Sequence, residues 1–215
     1  MKDVLDLFSG IGGFSVGLEK AGFTTTAFCE IDPYAQKVLK KHWPEVPIYD
    51  DVRQITADRL ASDGINVDVI TAGFPCQDIS LAGNQEGLDG ERSGLWSECA
   101  RLLGEIRPRY AIFENVTNLL AGQRGDWFKR VLWDISALRY DAEWHCIPAS
   151  AVGAHHRRDR VWIVAYPSSE GLEGSEEARD NGEDGEKPRK QLITGLRGVS
   201  RRTWAAEPSV GRVAN

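Results

Sequence analysis

The amino-acid sequence predicts an α/β fold, a doubly wound and mostly parallel sheet with helices on both faces. Three observations indicate it. Short apolar or β-branched runs typical of buried strands occur at residues 2–8, 24–30, 67–72, 110–113 and 161–165. The segments that follow the first two runs show the helical spacing of apolar residues, and glycine or proline separates each predicted strand from the helix after it. Strands that alternate with helices pair in parallel through right-handed crossovers, so one sheet is expected.

The first two strand-to-helix connections justify this prediction in detail. The strand at residues 2–8 stops at Ser9 and Gly10, and apolar residues then recur at helical spacing up to Gly22. After the strand at residues 24–30, Pro33 begins a second predicted helix, since proline is favoured at the first helical position. The chain therefore begins with two βα units.

Length and composition limit the class of protein. The 215 residues are 41% hydrophobic with a formal net charge of −6, which fits one globular core. No apolar run is long enough to span a bilayer and no secretory signal opens the chain, so we expect a cytoplasmic, nucleoid-associated protein without a membrane partner. The acidic balance excludes a surface coated in basic charge, although a local basic stripe can still hold phosphates.

The cysteines indicate free thiols and no metal. Cys29, Cys76, Cys99 and Cys146 are far apart in sequence, without the spacing of a zinc site or a disulfide framework. Cys146 with the nearby pair His155 and His156 matches no metal pattern either.

The composition changes after Tyr166, which predicts a domain boundary. Residues 170–186 carry eight acidic residues against one arginine, and the chain then becomes basic. Few apolar residues occur there, so we expect a domain at residues 1–166 and a polar, disordered tail or remnant of a recognition region at residues 167–215.

Two features predict a nucleoside cofactor. Gly10, Gly12 and Gly13 lie between the first strand and its helix, where small residues let a ligand approach the backbone. Glu30 follows twenty residues after Gly10, at the end of the second strand, where a carboxylate can accept hydrogen bonds from ribose hydroxyls. Ser15 stands where the dinucleotide fingerprint needs a third small residue, so a cofactor with a ribose but no pyrophosphate fits better.

A cysteine follows the third predicted strand, at the sheet edge where open α/β sheets bind ligands. Residues 73–77 (GFPCQ) contain Cys76 behind a stiff proline, which favours a positioned thiol over an inert buried one. Glu114 follows at the end of the next strand, where its carboxyl group can hold a proton. The alternative is a solvated or helix-capping glutamate. Residues 156–160 (HRRDR) precede the last strand, where alternation predicts His156, Arg158 and Arg160 on one face, or else a solvated basic edge.

Together these segments resemble the cytosine-5 DNA methyltransferases, because the following motifs occur in that family's order between residues 2 and 166. The cofactor loop is similar to residues 6–13 (DLFSGIGG), and the ribose-binding strand end to residues 29–32 (CEID). Asp51 and Val52 stand where the family contacts adenine; from the residues alone, a solvated turn aspartate is equally consistent. The nucleophile loop resembles residues 72–77 (AGFPCQ), its mobile loop residues 83–96, and the series ends with residues 114–116 (ENV) and the basic run at His156.

The resemblance implies a Rossmann-like, S-adenosylmethionine-dependent enzyme that methylates C5 of cytosine in DNA through a covalent Cys76 adduct. The implied catalytic residues are Cys76, Glu114, Arg158 and Arg160. The implied S-adenosyl-L-methionine contacts are Phe8, Ser9, Gly10, Gly12, Gly13, Glu30, Ile31, Asp51, Val52 and Pro75. The implied substrate contacts are Gln77, Ser80, Asn115 and Val116. The implied substrate is double-stranded DNA with the target cytosine flipped out, in a restriction-modification or phage setting.

Two departures from the family pattern leave alternatives open. The family usually has Gln at the place of His156, and its target-recognition region and last two motifs are not visible before Asn215. We therefore expect a sequence that stops early and is weak or inactive on DNA alone, with target recognition supplied by the missing C-terminal part or by a second polypeptide. The alternatives are a cofactor-binding subunit without activity of its own and an RNA cytosine-5 methyltransferase. An oxidoreductase is disfavoured by Ser15 and by the Pro-Cys-Gln loop.

Overall fold

A computed structural model describes residues 2–75 and 94–168 of the chain. The strands are β1 (Asp3–Leu7), β2 (Thr24–Cys29), β3 (Ile48–Tyr49), β4 (Val69–Ala72), β5 (Tyr110–Val116), β6 (Tyr140–Pro148) and β7 (Asp159–Pro167). The α-helices are α1 (Gly13–Lys20), α2 (Pro33–His42), α3 (Ala57–Ser62), α4 (Gly94–Ile106), α5 (Asn118–Ala121) and α6 (Asp126–Ala137). The predicted boundary at Tyr166 lies next to the end of the described residues, so the domain assignment stays a prediction.

The strands form a seven-stranded sheet in the order β3-β2-β1-β4-β5-β7-β6. The pairs from β3 to β5 are parallel, and β7 runs antiparallel to both β5 and β6. The prediction of a mostly parallel α/β sheet is confirmed. Because the chain leaves β1 for β2 on one side and reaches β4 on the other, the order reverses at β1, and ligands bind at such a switch point.

Two strands were missing from the sequence prediction. β3 is only two residues long and β6 is a partly exposed edge strand whose polar residues interrupt any apolar run. The central strands, by contrast, are the ones that the apolar runs predict. All four residues of β4 and the last four of β1 are buried, as expected for parallel strands covered on both faces.

Local signals explain where the first helices begin. Gly12 has φ +89°, a left-handed conformation that favours glycine, and it immediately precedes α1. The Asp32 side chain accepts hydrogen bonds from the N–H groups of Tyr34 and Ala35, and Pro33 occupies the first position of α2. Both helices therefore begin at the carboxyl edge of the sheet, beside the ends of β1 and β2.

Two properties of the described part of the chain bear on function. Within residues 2–75 and 94–168, no helix has both the length and the apolar character needed to cross a membrane. In the same residues no group of three or more His, Cys, Asp or Glu side chains could hold a metal ion. Cys29, Cys99 and Cys146 are free thiols, the first two buried and the third exposed.

Candidate active site

The segment that leads to the predicted nucleophile leaves β4 at the carboxyl edge of the sheet. Phe74 is buried and Pro75 half-buried. Cys76, Gln77, Ser80 and the predicted mobile loop up to residue 93 lie outside the described residues. The structure thus shows where the segment starts, and the position of the thiol stays a prediction.

Buried contacts from β5 and α4 fix this starting point. The Asn115 side chain is 2% exposed; its amide nitrogen donates to the Phe74 carbonyl at 3.1 Å. Its amide oxygen accepts from the Val116 N–H at 2.8 Å. The Trp96 ring of α4 lies 5.2 Å from that of Phe74 and 5.1 Å from that of Phe113, centroid to centroid. Asn115, predicted as a substrate contact, uses its side chain to hold the backbone two residues before Cys76.

Glu114 lies beside the same segment and is paired with an arginine. Its Oε1 is 2.8 Å from Nε of Arg160, and both side chains are mostly buried, at 24% and 20% exposure. Its Oε2 lies 3.6 Å from where a β-carbon on Gly73 would stand, so the carboxyl group is next to the loop. Burial raises the pKa of Glu114, while the charges of Arg160 and Arg158 oppose that rise. A carboxyl group in this setting can hold a proton close to the place where the loop leaves β4.

The prediction that His156, Arg158 and Arg160 share one strand face is wrong. β7 begins at Asp159, and Arg158 has φ +37°, which breaks the extended alternation before the strand starts. His156 and Arg158 are exposed on the connection between β6 and β7, whereas Arg160 is half-buried within β7. Arg158 nevertheless lies near enough to Glu114 for its charge to lower the pKa of that group.

The predicted cofactor loop forms the tight turn between β1 and α1. Phe8 has φ +53°, an uncommon conformation for a bulky residue, and such strain is often found at ligand sites. The Ser9 side chain is buried and its hydroxyl donates to the carbonyl of Asp6 and, at 3.2 Å, to that of Cys29. Gly10 has φ +53° with open space around its α-carbon, which leaves room for a ligand.

Glu30 joins this turn to the start of α2. One carboxylate oxygen accepts the Gly10 N–H at 2.7 Å and the other accepts the Asp32 N–H at 2.8 Å. Ile31 is 75% exposed between them, a large apolar side chain at the rim of the edge. Each carboxylate oxygen keeps a second lone pair, so Glu30 can also accept from hydroxyl groups of a ligand.

Asp51 and Val52 lie in a short 3-10 turn beyond β3. The Asp51 side chain accepts the Arg53 N–H at 3.0 Å and so caps the turn, while Val52 is buried. Burial raises the pKa of the Cys29 thiol to about 12, with further increments from the charges of Asp51 and Glu30. Both predicted cofactor carboxylates therefore lie around the end of β2.

A buried carboxyl group under the cofactor loop was missed by the sequence analysis. Asp6 is fully buried in β1; its Oδ2 accepts from the Ser15 hydroxyl at 2.9 Å and its Oδ1 from the Thr71 hydroxyl at 2.7 Å. Ser15, which departs from the dinucleotide fingerprint, thus ties α1 to β1. An aspartate inside an otherwise apolar strand is the sequence signal that could have indicated this cluster.

The fold and the site together define a class. A switch-point sheet with a glycine turn after β1, an acidic residue after β2 and a carboxyl–guanidinium pair that joins β5 to β7 is a Rossmann-like arrangement, in which ligands bind at the carboxyl edge of the sheet. Comparison with known proteins identifies the family: the model of the C-5 cytosine-specific DNA methylase family matches residues 2–203, and the chain belongs to that family.

Individual relatives agree with this family. The chain is 41% identical over 166 residues to the type II methyltransferase M2.BsuMI of Bacillus subtilis, covering 75% of this chain and 41% of the relative. It is 35% identical over 161 residues to M.CviJI of a Paramecium bursaria Chlorella virus, covering 75% of this chain and 42% of the relative. The chain thus spans about two fifths of the length of these relatives.

Solved structures show the same fold. A candidate DNA modification methyltransferase encoded within an Escherichia coli prophage superposes with a TM-score of 0.67 at 26% identity, covering 80% of this chain and 48% of that one. The Dnmt2 methyltransferase of S. pombe superposes with a TM-score of 0.61 at 21% identity, covering 85% and 58%. At 21% identity, the similarity to the Dnmt2 structure shows a shared fold and nothing more.

Proposed function

We propose that this chain is the cofactor-binding and catalytic part of an enzyme that transfers a methyl group from S-adenosylmethionine to C5 of cytosine in DNA. The observation that carries the proposal is the mostly buried pair of Glu114 and Arg160 beside Gly73, where the segment leading to Cys76 leaves the sheet. A carboxyl group with a raised pKa next to a candidate nucleophile suits chemistry on a base that must be protonated during attack.

The chemistry assigns a separate task to each group. Carbon 5 of cytosine is a weak nucleophile, and addition of the Cys76 thiolate to the neighbouring C6 turns the ring into an enamine that is nucleophilic at C5. Glu114 holds the proton that N3 takes up, and Arg160 orients Glu114. After methylation, water takes up the C5 proton, the C6–sulfur bond breaks to release the thiolate, and N3 returns its proton to Glu114, which restores the aromatic ring and the free enzyme.

The residues around the β1 turn fit S-adenosylmethionine, which supplies the methyl group when bound. Gly10 has open space around its α-carbon, and Glu30 keeps free lone pairs for ribose hydroxyls. Ile31 offers an exposed apolar surface for the adenine, and Asp51 offers a carboxylate for its edge. We therefore assign ribose to Glu30 and adenine to the Ile31 and Asp51 side of the edge.

The substrate that we propose is double-stranded DNA with the target cytosine flipped out of the stack, because C6 is not accessible to a thiolate inside a duplex. His155, His156, Arg157 and Arg158 are exposed on the β6–β7 connection, and the charge of Arg158 acts on Glu114, so we propose that this connection contacts phosphates. Base discrimination requires further groups held in a groove. We propose that they come from outside the described residues, in the same protein or in a second polypeptide.

A mechanism-based trap tests the reaction and the nucleophile together. The protein is incubated with S-adenosylmethionine and duplex DNA that contains 5-fluorocytosine, whose fluorine cannot leave as the C5 proton does. We expect a covalent protein–DNA adduct that maps to Cys76 and is lost in Cys76→Ser. Cys146→Ser is the matched control, since Cys146 is exposed and unpaired in the structure.

The outcomes of the trap separate the alternatives. An adduct on Cys146, or one that survives Cys76→Ser, contradicts the nucleophile assignment. An adduct formed only with 5-fluorocytidine in RNA would instead assign the enzyme to RNA. Binding of S-adenosylmethionine without any adduct, even when a fragment carrying the remaining parts of a relative is added, would support a cofactor-binding subunit.

A further inference from the structure

Arg101, in the middle of α4, makes an unusual set of hydrogen bonds. Its Nε donates to Glu98 and one terminal nitrogen donates to Glu105, each at 2.8 Å. The other terminal nitrogen donates to two backbone carbonyls, that of Val52 at 3.2 Å and that of Ile55 at 2.9 Å. The side chain is only 30% exposed. A planar guanidinium can satisfy such a set of acceptors at once, and an ammonium cannot.

Both carbonyls belong to the turn that carries Asp51. Two hydrogen bonds hold the turn internally. The Gln54 N–H donates to the Asp51 carbonyl, and the Ile55 N–H donates to the Val52 carbonyl. It follows β3, which is only two residues long, so the sheet ladder restrains it weakly. The Val52 and Ile55 side chains are buried in the core, and hydrogen bonds from α4 to their carbonyls add to this burial in fixing where Asp51 and Val52 lie.

A second bond from α4 reinforces the same region. Glu105, which accepts from Arg101, also accepts the N–H of Ala57 at the start of α3 with its other oxygen, at 3.3 Å. At the other end of α4, the Trp96 indole donates to Asp134 of α6 at 2.9 Å and packs on Phe74. The helix that carries Arg101 is thus anchored to the protein core independently of the turn.

We infer that Arg101 is a positioning residue of the cofactor pocket: it sets the turn that presents Asp51 and Val52 by binding the carbonyls of Val52 and Ile55. The inference rests on the proposed function for the identity of the ligand. Arg101 acts through the backbone of the turn that carries Asp51, the proposed adenine side of the pocket, so its effect concerns affinity for the adenosine part of the cofactor.

Hydrogen exchange measures the turn without any ligand. In Arg101→Met, the amides of Gln54 and Ile55 are expected to exchange at least about tenfold faster, while amides of β1 and β4 keep their wild-type rates. Lys129→Met is the control, because Lys129 pairs with Asp126 on α6 at 2.9 Å and is 73% exposed. Arg101→Lys, which keeps the charge but not the fork, should give intermediate rates and guards against a variant that does not fold.

Calorimetry with S-adenosylmethionine then connects the turn to the pocket. Arg101→Met should weaken binding by about tenfold, and this loss should shrink in an Asp51→Ala background, because both changes act through one turn. In a Glu30→Ala background the loss should keep its full size, since the Glu30 carboxylate is held by the N–H groups of Gly10 and Asp32 and not by the turn.

The results distinguish this inference from the function on which it rests. Unchanged exchange at Gln54 and Ile55 in Arg101→Met, or a binding loss that is undiminished by Asp51→Ala, overturns the positioning role. A wild-type protein that fails to bind S-adenosylmethionine overturns the proposed cofactor, and the exchange rates still decide whether Arg101 holds the turn.

Discussion

Replacement of Asp6 by Asn tests how the buried carboxyl group under the cofactor loop responds to pH. Asp6 is fully buried in β1, and burial raises its pKa to about 7, with a smaller increment from the charge of Glu30. The hydroxyl groups of Thr71 and Ser15 donate to its two oxygens and oppose the rise. Asn has the same shape without titration, and hydroxyl groups can rotate to accept from its amide nitrogen.

The size of the effect follows from the two pKa values of Asp6. Its pKa in the unfolded chain is about 4, so the native state binds the proton more tightly. The resulting stability is fully present below about pH 4 and is lost as the pH rises through about 7. Each pH unit in that window changes the free energy of unfolding by about 1.4 kcal/mol. Between pH 5 and pH 8 the wild type should therefore lose roughly 3 kcal/mol relative to Asp6→Asn.

Urea unfolding of the wild type and of Asp6→Asn at about pH 5, 6, 7 and 8 measures the difference between their free energies of unfolding. Asp126→Asn is the control for the same chemical change at a carboxyl group that is 65% exposed. A difference between wild type and Asp6→Asn that stays flat with pH would refute the raised pKa. A difference of opposite sign, with the wild type gaining stability as the pH rises, would mean that the two hydroxyl donors outweigh burial.

Two further substitutions test the packing of the site. Gly12→Ala should lower the free energy of unfolding by about 1–3 kcal/mol more than Gly22→Ala in the same urea assay. Both positions have positive φ, but only at Gly12 would the new β-carbon lie 2.6 Å from the Trp43 ring. Equal losses would contradict the clash. Asn115→Ala should slow trapping of 5-fluorocytosine DNA while S-adenosylmethionine affinity in calorimetry stays at the wild-type value, because the lost bond holds Phe74; unchanged trapping would count against that role.

The sequence predicts the part of the fold that burial dominates. β1, β2 and β4 are runs of apolar or β-branched residues, since a central parallel strand is covered on both faces. β6 could not be predicted in this way, because among the described residues it lies at the edge of the sheet with β7 as its one partner, and its polar residues are partly exposed. β3 is too short for any periodicity.

The candidate site divides along similar lines. Glu30 and Glu114 were predicted from their places at strand ends, and strand ends are set by the local sequence. The Asp6 cluster joins residues 9 and 65 positions apart, which only the folded sheet brings together. Arg158 was placed by alternation, a rule that fails once a residue adopts positive φ. Sequence spacing thus predicts side-chain direction only inside a regular element.

Environment separates the tasks of the two carboxyl groups at the carboxyl edge. Each carboxylate oxygen of Glu30 accepts one backbone N–H and keeps a second lone pair. The hydroxyl groups of a ribose require acceptors of this kind. Glu114 is desolvated beside Gly73 and faces Arg160, so burial and charge act on its pKa in opposite directions, with burial the stronger. A group balanced in this way can take up and release a proton as charge develops on a neighbouring ring. Removing the Arg160 charge should therefore raise the pKa of Glu114 further, because burial would then be opposed by the charge of Arg158 without that of Arg160.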